Sequence, residues 1–509
     1  MTGGLAKRSV YLLAGVSILG LFAAAPEAKA QDMQQIQAQI DQMQATIKAL
    51  QQQVADAKAQ AAAANAAAAN AGGSDLDLKI KWKGAPQLTS ADGKKFSFKV
   101  RGRVQTDFDH IDQDFNVTGA PDVNAVELRR ARLGVEGVVY YDVKYKFEVD
   151  FADNEVSVKD AYVAYAGLKP SDWGIGEIRF GNQYVYNSME EITSSRFITF
   201  MERPAYQEAF FLDRQIGAAV LAGSEHWSFQ AGAYGATVGE VNDFYNDQQA
   251  YSVRGTWAPI NRDVNGVHQV LHLGASWRYR ENPNNFRAPP SGATNQWSQP
   301  FRYRARAADL HLSDRFIGTP FLGESDDMYN LEAAVVWGSF AVQGEYANLS
   351  PDALPIPGFL SPSPEYDGWY AEASWYITGE SKNYEADTGE FGRPKVKNPV
   401  LWGQRGGGWG AWQIAGRYDE LNLSDKSATV VGQNFGSGLG PAACTTCGDY
   451  KTWTLGLNWW LNDYTRMVLN VTDTKIEGGN PLNVLGTGGA NKNNTADIQG
   501  VGLRAQVDW

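Results

Sequence analysis

Phe96-Ser97-Phe98-Lys99-Val100-Arg101-Gly102-Arg103-Val104-Gln105-Thr106-Asp107-Phe108 divides cleanly when every second residue is taken. Phe96, Phe98, Val100, Val104 and Phe108 form one set, and Lys99, Arg101, Arg103, Gln105 and Asp107 the other. Successive side chains of an extended chain point to opposite faces. The stretch therefore predicts a strand with an apolar side and a charged side. Val143 to Phe151 repeats the pattern, with Val143, Tyr145, Phe147, Val149 and Phe151 opposed to Lys144, Lys146, Glu148 and Asp150. Similar segments recur near 128–140, 156–166, 213–221, 226–234, 250–258, 268–280, 328–337, 339–347, 367–377, 409–421, 450–461 and 464–472, more weakly near 176–182, and finally at 501–509. That makes about sixteen strands, an even number as bacterial outer-membrane barrels require.

The spacing between these segments is as informative as the segments. Long connections (109–125, 183–212, 281–327, 422–449, 473–499) alternate with very short ones near 141–142, 222–225, 338 and 462–463. Barrels with long external loops and tight periplasmic turns have this asymmetry. The connection 378–408 breaks the rule, being far too long for a tight turn. A soluble β-sandwich also alternates, but it turns its apolar residues onto a packed core. Here Trp257, Trp277, Tyr279, Trp337, Trp369, Trp375, Trp459 and Trp509 gather at strand ends, as the aromatic girdles of a lipid-facing barrel do. The expected fold is all-β, an antiparallel transmembrane β-barrel of about 16 strands, with a short N-terminal coiled-coil helix.

Residues before the barrel divide into three. Lys7 and Arg8 precede the apolar run Val10 to Ala25, and Ala28-Lys29-Ala30 offers a cleavage pattern before Gln31, so 1–30 reads as a signal peptide. Met33, Ile36, Ile40, Met43, Ile47, Leu50 and Val54 then follow a 3-4 spacing, a heptad seam compatible with a trimer. This puts a periplasmic coiled coil at 31–60. An Ala/Gly-rich linker over 61–94 leads to the barrel domain, 95–509.

Bulk charge and rare residues exclude several function classes. A net charge of −12 without a basic run argues against nucleic acid as a partner, because affinity there rests on neutralising phosphates. The two cysteines, Cys444 and Cys447, lack the further ligands zinc needs and the βαβ setting of a redox motif. In an exported protein they predict a local disulfide. The five histidines form no Ser/His/Asp or metal-ligand pattern, and His268 and His272, four apart in a strand, stand about 13 Å apart. No enzyme, cofactor or metal is expected.

Arg129-Arg130-Ala131-Arg132-Leu133, the stretch from Glu191 to Arg203 and Arg302-Tyr303-Arg304-Ala305-Arg306 resemble the phosphate-selective porin family, the O/P-type porins, over most of residues 95–509. The resemblance implies a homotrimer of sixteen-stranded barrels, with the third external loop folded inward to form a constriction. It places Arg103, Arg129 and Arg130 at the family's central anion site, with Asp160 as the acidic partner. It makes Arg302, Arg304 and Arg306 an arginine ladder leading anions to that site. Arg196 falls where the phosphate-specific members have a lysine, and Arg132 where they have a tyrosine. Both departures keep or add positive charge, so they preserve anion preference while leaving phosphate specificity open.

Alternation by itself turns Arg101, Arg103, Arg130, Arg132, Lys144 and Lys146 toward a lumen, with Lys144 and Lys146 on its periplasmic side. Arg129 would face lipid unless a bulge re-aimed it. Guanidinium suits the task because its planar fork binds oxyanions bidentately and stays charged. The expected partners are two further copies of the chain, outer-membrane lipid and lipopolysaccharide, small anions such as phosphate, and peptidoglycan through the coiled coil. A general, carboxylate, sugar or polyphosphate porin, or a barrel that chiefly tethers the cell envelope, fits the same sequence.

Overall fold

The computed structural model describes residues 78–82, 84–116, 121–168, 175–238, 248–281, 301–319, 323–353, 363–401, 407–425, 430–433, 441–444, 447–479 and 493–509, with scattered helical positions between 41 and 59. The signal peptide and the apolar positions of the heptad seam lie outside the described residues.

Sixteen strands form the wall. They are β1 (Phe96–Phe115), β2 (Val123–Val139), β3 (Val143–Asp150), β4 (Ser157–Tyr165), β5 (Ile175–Tyr184), β6 (Arg214–Gly223), β7 (Trp227–Tyr234) and β8 (Gln249–Val264). The second half comprises β9 (Val267–Glu281), β10 (Gly323–Trp337), β11 (Phe340–Ala353), β12 (Tyr366–Tyr376), β13 (Ala411–Asn422), β14 (Asp449–Asn462), β15 (Thr465–Glu477) and β16 (Thr495–Asp508). Each pairs antiparallel with its neighbours in sequence. β16 closes on β1, from Ala496↔Phe115 to Asp508↔Arg103. Closure leaves the sixteen-stranded wall without an unpaired edge among the described residues, as a hydrocarbon environment demands.

Alternation sorts the side chains as expected. On β10, Tyr329, Leu331, Ala333, Val335 and Trp337 are exposed while Met328, Asn330, Glu332, Ala334 and Val336 are buried. Outward aromatics fall at two levels. Phe340 stacks on Trp375 and Trp412 on Trp459 near the turns, while Trp369, Tyr418 and Trp453 meet nearer the loops. Tyr329 and Trp337, eight residues apart, are separated by about 26 Å along the strand. At the usual barrel tilt that spans about 20 Å of height, close to the apolar band of an outer membrane.

Several strands run further toward the loops than alternation predicts. β1 continues through Asp109-His110-Ile111-Asp112-Gln113-Asp114, where polar residues fall on both faces and no period-two signal survives. At the other end the turns are tight, as in Asn265-Gly266, both at positive φ (52° and 78°), the conformation a two-residue hairpin turn requires. Strands β3 to β7 have only 8 to 10 residues, so the wall is low on that side.

Residues 78–90, expected at the end of the linker, are instead a hairpin. Leu78–Trp82 pairs with Pro86–Ser90, which pairs with β1 below the point where β16 stops. The long connection 377–410 also finds its explanation. It turns back into the barrel, where Asn383–Glu385 and Glu390–Gly392 pair. Tyr384 and Phe391 then pack with Ala258, Val270, Ala334, Val336 and Ala341 on the inner wall. Its length reflects lumen to be filled rather than a gap to be turned. Cys447 is buried and disulfide-bonded.

Candidate functional site

Two loops from the opposite end also enter the lumen. The β5–β6 loop, 185–213, carries two short helices, α1 (Met189–Ile192) and α2 (Ala205–Phe210). Ser188 caps α1 by accepting from the Glu191 amide at 3.0 Å. The wall then ties down the loop backbone. Arg466 donates to the carbonyls of Ile198 (2.7 Å) and Thr199 (3.1 Å), Arg417 to that of Glu202 (3.0 Å) and Arg504 to that of Met201. Glu332 and Glu345 accept the amides of Met189 and Glu190, each at 2.8 Å. Inward-facing wall residues thus supply the hydrogen bonds a loop cannot make for itself.

The β9–β10 loop enters through residues 301–319. Tyr303, Ala305 and Ala307 are fully buried, and Arg302, Arg304 and Arg306 lie on the alternate positions between them. Arg304 and Ala305 pair with Gly318 and Ile317. Tyr303 donates to Asp326 at 2.8 Å. Asp309 accepts from Arg417 (2.6 Å), Thr454 (2.7 Å) and Tyr450 (3.1 Å). The apolar face is pressed to the wall, so the three arginines share the opposite face.

Between these loops and the wall lies a cavity of about 320 Å³. Its lining includes eight cationic side chains, among them Arg129, Arg130, Arg132, Arg306 and Arg315, against five carboxylates. Arg129 reaches it through a β-bulge. Pairing runs Gln105↔Arg130 and then Asp107↔Glu127, so β2 carries an extra residue here. That slip turns Arg129 inward, where Nε and Nη2 donate to Glu202 at 2.8 and 3.0 Å.

Two carboxylates organise the guanidinium groups. Glu202 engages Arg129, Arg130 (3.6 Å) and Arg504 (2.6 Å). Glu148 engages Arg101 (3.0 Å), Arg103 (3.4 Å) and Arg132 (3.4 Å). Arg103 also donates to Ser195 Oγ at 2.5 Å. Register orders them: Arg130 faces Gln105 and Arg132 faces Arg103, one step of about 6.6 Å further along the strand. Arg196 lies beside this cluster, 3.5 Å from Asp508.

Asp160, expected as the acidic partner, is buried against other cations. It binds Lys146 at 2.6 Å and Arg214 at 2.8 Å, while the site arginines meet Glu148 and Glu202, with Asp150 2.7 Å from Arg132 and Asp508 3.5 Å from Arg196. Lys144, half exposed, pairs with Glu177 at 2.8 Å. Sequence reasoning missed Arg504, Arg315 and His311. Arg504 carried a signal, because it occupies a lumen position of the clean final repeat beside Gln506 and Asp508.

Charge states in the loops follow from crowding. Burial lowers Arg304 to about 10, helped by Arg302 and Arg315. Burial likewise lowers Arg196 to about 10, with Arg101 adding to it. Both remain cationic at neutral pH. Burial opposes ionisation of Glu202, yet Arg129, Arg130 and Arg504 hold it well below the usual carboxylate range.

Comparison with known proteins closes the identification. The family model described as phosphate-selective porin O and P matches residues 98–509. Porin O of Pseudomonas aeruginosa is 28% identical over 411 residues, covering 77% of this chain and 85% of its own. An uncharacterized protein of Caulobacter vibrioides is 29% identical over 412 residues, covering 79% and 73%. Among solved structures, the anion-selective porin from Comamonas acidovorans aligns with 12% identity and a TM-score of 0.42, over 81% of this chain and 99% of that one. The chain belongs to the phosphate-selective porin O and P family and is a β-barrel porin of the Gram-negative outer membrane.

Proposed function

We propose that this porin is an anion-selective diffusion channel whose constriction favours small oxyanions, phosphate foremost. One observation carries the reading. Arg304 and Arg306 lead to Arg315, then Arg129 and Arg130, then Arg132 and Arg103, with cations outnumbering carboxylates in the cavity between the loops. An ion on this path exchanges water for guanidinium forks in steps, without meeting one deep trap. Glu148 and Glu202 within the same cluster keep each arginine partly neutralised, which supports passage over retention. The low wall, with Val163 and Phe180 exposed on it, is the face we assign to packing of three copies.

Planar-bilayer recording tests this. Neutral-pH reversal potentials should report anion preference, and phosphate should block chloride current. Arg302→Gln, Arg304→Gln and Arg306→Gln combined should lower anion conductance severalfold while the oligomer band on gels persists. Cation preference in the native channel would sink the reading. A chloride current indifferent to phosphate would remove the oxyanion preference and favour a general porin.

A further inference from the structure

We propose that His311 is a positioning residue for Arg306, and that its protonation makes anion passage through the constriction depend on pH. The inference deepens the anion-channel reading and rests on it. His311 stands where two cavities adjoin, the one of about 320 Å³ and a second of about 390 Å³ on its loop side, and Arg306 and Arg315 line both with it. Whatever holds Arg306 therefore sets the junction between the arginine stretch and the central cluster.

The hydrogen bonds fix the tautomer. Arg306 Nη2 lies 3.0 Å from His311 Nε2, and a guanidinium can only donate. Nε2 is consequently the acceptor, and Nδ1 carries the hydrogen that it donates to Glu127, 2.8 and 2.9 Å from its two carboxylate oxygens. The ring is a relay between a wall carboxylate and a ladder arginine. Adding a proton at Nε2 removes that acceptor and places two cations 3.0 Å apart. Arg306 must then leave the ring. It keeps the Ser313 carbonyl at 3.1 Å and Glu208 at 3.7 Å, and Glu208 already holds Arg315 at 2.5 Å. The junction gains one positive charge, and its last arginine is re-aimed.

Imidazole ordinarily changes charge between pH 5 and 8. The charged groups around it come from five elements: Asp109 from β1; Glu127 and Arg129 from β2; Arg304, Arg306, Asp309, Asp314 and Arg315 from its own loop; Glu191, Glu202 and Glu208 from the 185–213 loop; and Asp153 from the β3–β4 connection. Burial raises Glu191 of the same cavity and Asp109 beside Glu127 to about 7, so the histidine's share of a step inside the window is the part that substitution of His311 removes.

The experiment is reversal potential in a potassium chloride gradient from pH 8 to pH 5, chloride being an anion that does not itself titrate. The native channel should show its chloride-to-potassium permeability ratio rising as pH falls. One unit charge about 7 Å from the path in water favours chloride and disfavours potassium by about threefold each, so a rise of up to roughly sevenfold is expected. His311→Gln, whose amide can accept from Arg306 and donate to Glu127 without titrating, should show a smaller rise over that range, the remainder belonging to Glu191 and Asp109. Glu127→Gln removes the carboxylate that stabilises the imidazolium and should move the step to lower pH. Superimposed native and His311→Gln profiles, or a step that Glu127→Gln does not move, would overturn the proposal. If His311→Gln does not assemble, the Glu127→Gln shift decides, measured with Asp109→Asn in both proteins, because Glu127 also raises Asp109. Loss of anion preference at every pH would count against the channel reading itself, whereas an anion-selective channel with no step counts against His311 only.

Discussion

At the scale of single residues, the constriction is a problem of neutralisation. Glu202 serves three guanidinium groups, and among the described residues only Arg504 of the three has a second acid, with Asp107 accepting from it at 2.7 and 2.6 Å. Glu202→Gln should therefore leave Arg129 and Arg130 less compensated without releasing the loop, which Arg504 and Arg417 hold through backbone carbonyls. Phosphate should then block chloride current at a severalfold lower concentration, as a phosphate titration of single channels would show. An unchanged blocking concentration would mean that Glu202 does not limit the site. Period-two reading was enough to aim Arg103, Arg130 and Arg132 inward. It could not name their acids, because partners across strands depend on register. A shift between Phe147 and Val149 slides β3 against β4, and Asp160 ends beside Lys146 while Glu148 ends among the arginines.

At the scale of elements, the 185–213 loop is an inserted tether with buried acids of its own. Burial raises Glu190 to about 8, with Glu372 adding to it. Gln343 donates to Glu190 Oε2 at 3.0 Å, while its Oε1 is buried without a partner among the described residues. The folded loop binds this proton more tightly than an unfolded chain, whose glutamate titrates near 4.3. The contribution is thus fully present below about pH 4 and is lost as pH rises through 8. Open-channel noise should grow between pH 7 and 9, and Glu190→Gln should abolish the increase. Equal noise in both proteins across that range would remove Glu190 as the cause. Sequence located all sixteen strands, because burial on one face imposes a period that loops lack. The loop ends of β1 and β16 were invisible to it, since beyond the membrane the outward face turns polar and the apolar residues that remain, such as Ala496 and Ile498, face inward.

At the scale of the molecule, a net charge of −12 coexists with a basic path because the averages cover different surfaces. Exposed carboxylates such as Asp112 sit on the outside, while the arginines face the lumen. Selectivity that arises from this local field must be screened. Debye length falls from about 10 Å at 0.1 M salt to about 3 Å at 1 M. The chloride-to-potassium permeability ratio should therefore decline steeply over that range at a constant gradient ratio. A ratio indifferent to salt would point to steric selection instead.

The inward hairpin at 383–392 also bears on the order of assembly. Its anchors are spread around the wall: Arg254 on β8 donates to Thr388 and Gly389 carbonyls, His272 on β9 meets Tyr384, Lys382 meets Glu372 on β12, and Arg393 meets Asp508 on β16. That last contact exists only once the final strand has zipped onto the first. Seating of the hairpin is thus a late, long-range event in biogenesis. A chain stalled with its seam open would leave Tyr384 and Phe391 in water, a feature by which quality control could tell it from a finished barrel.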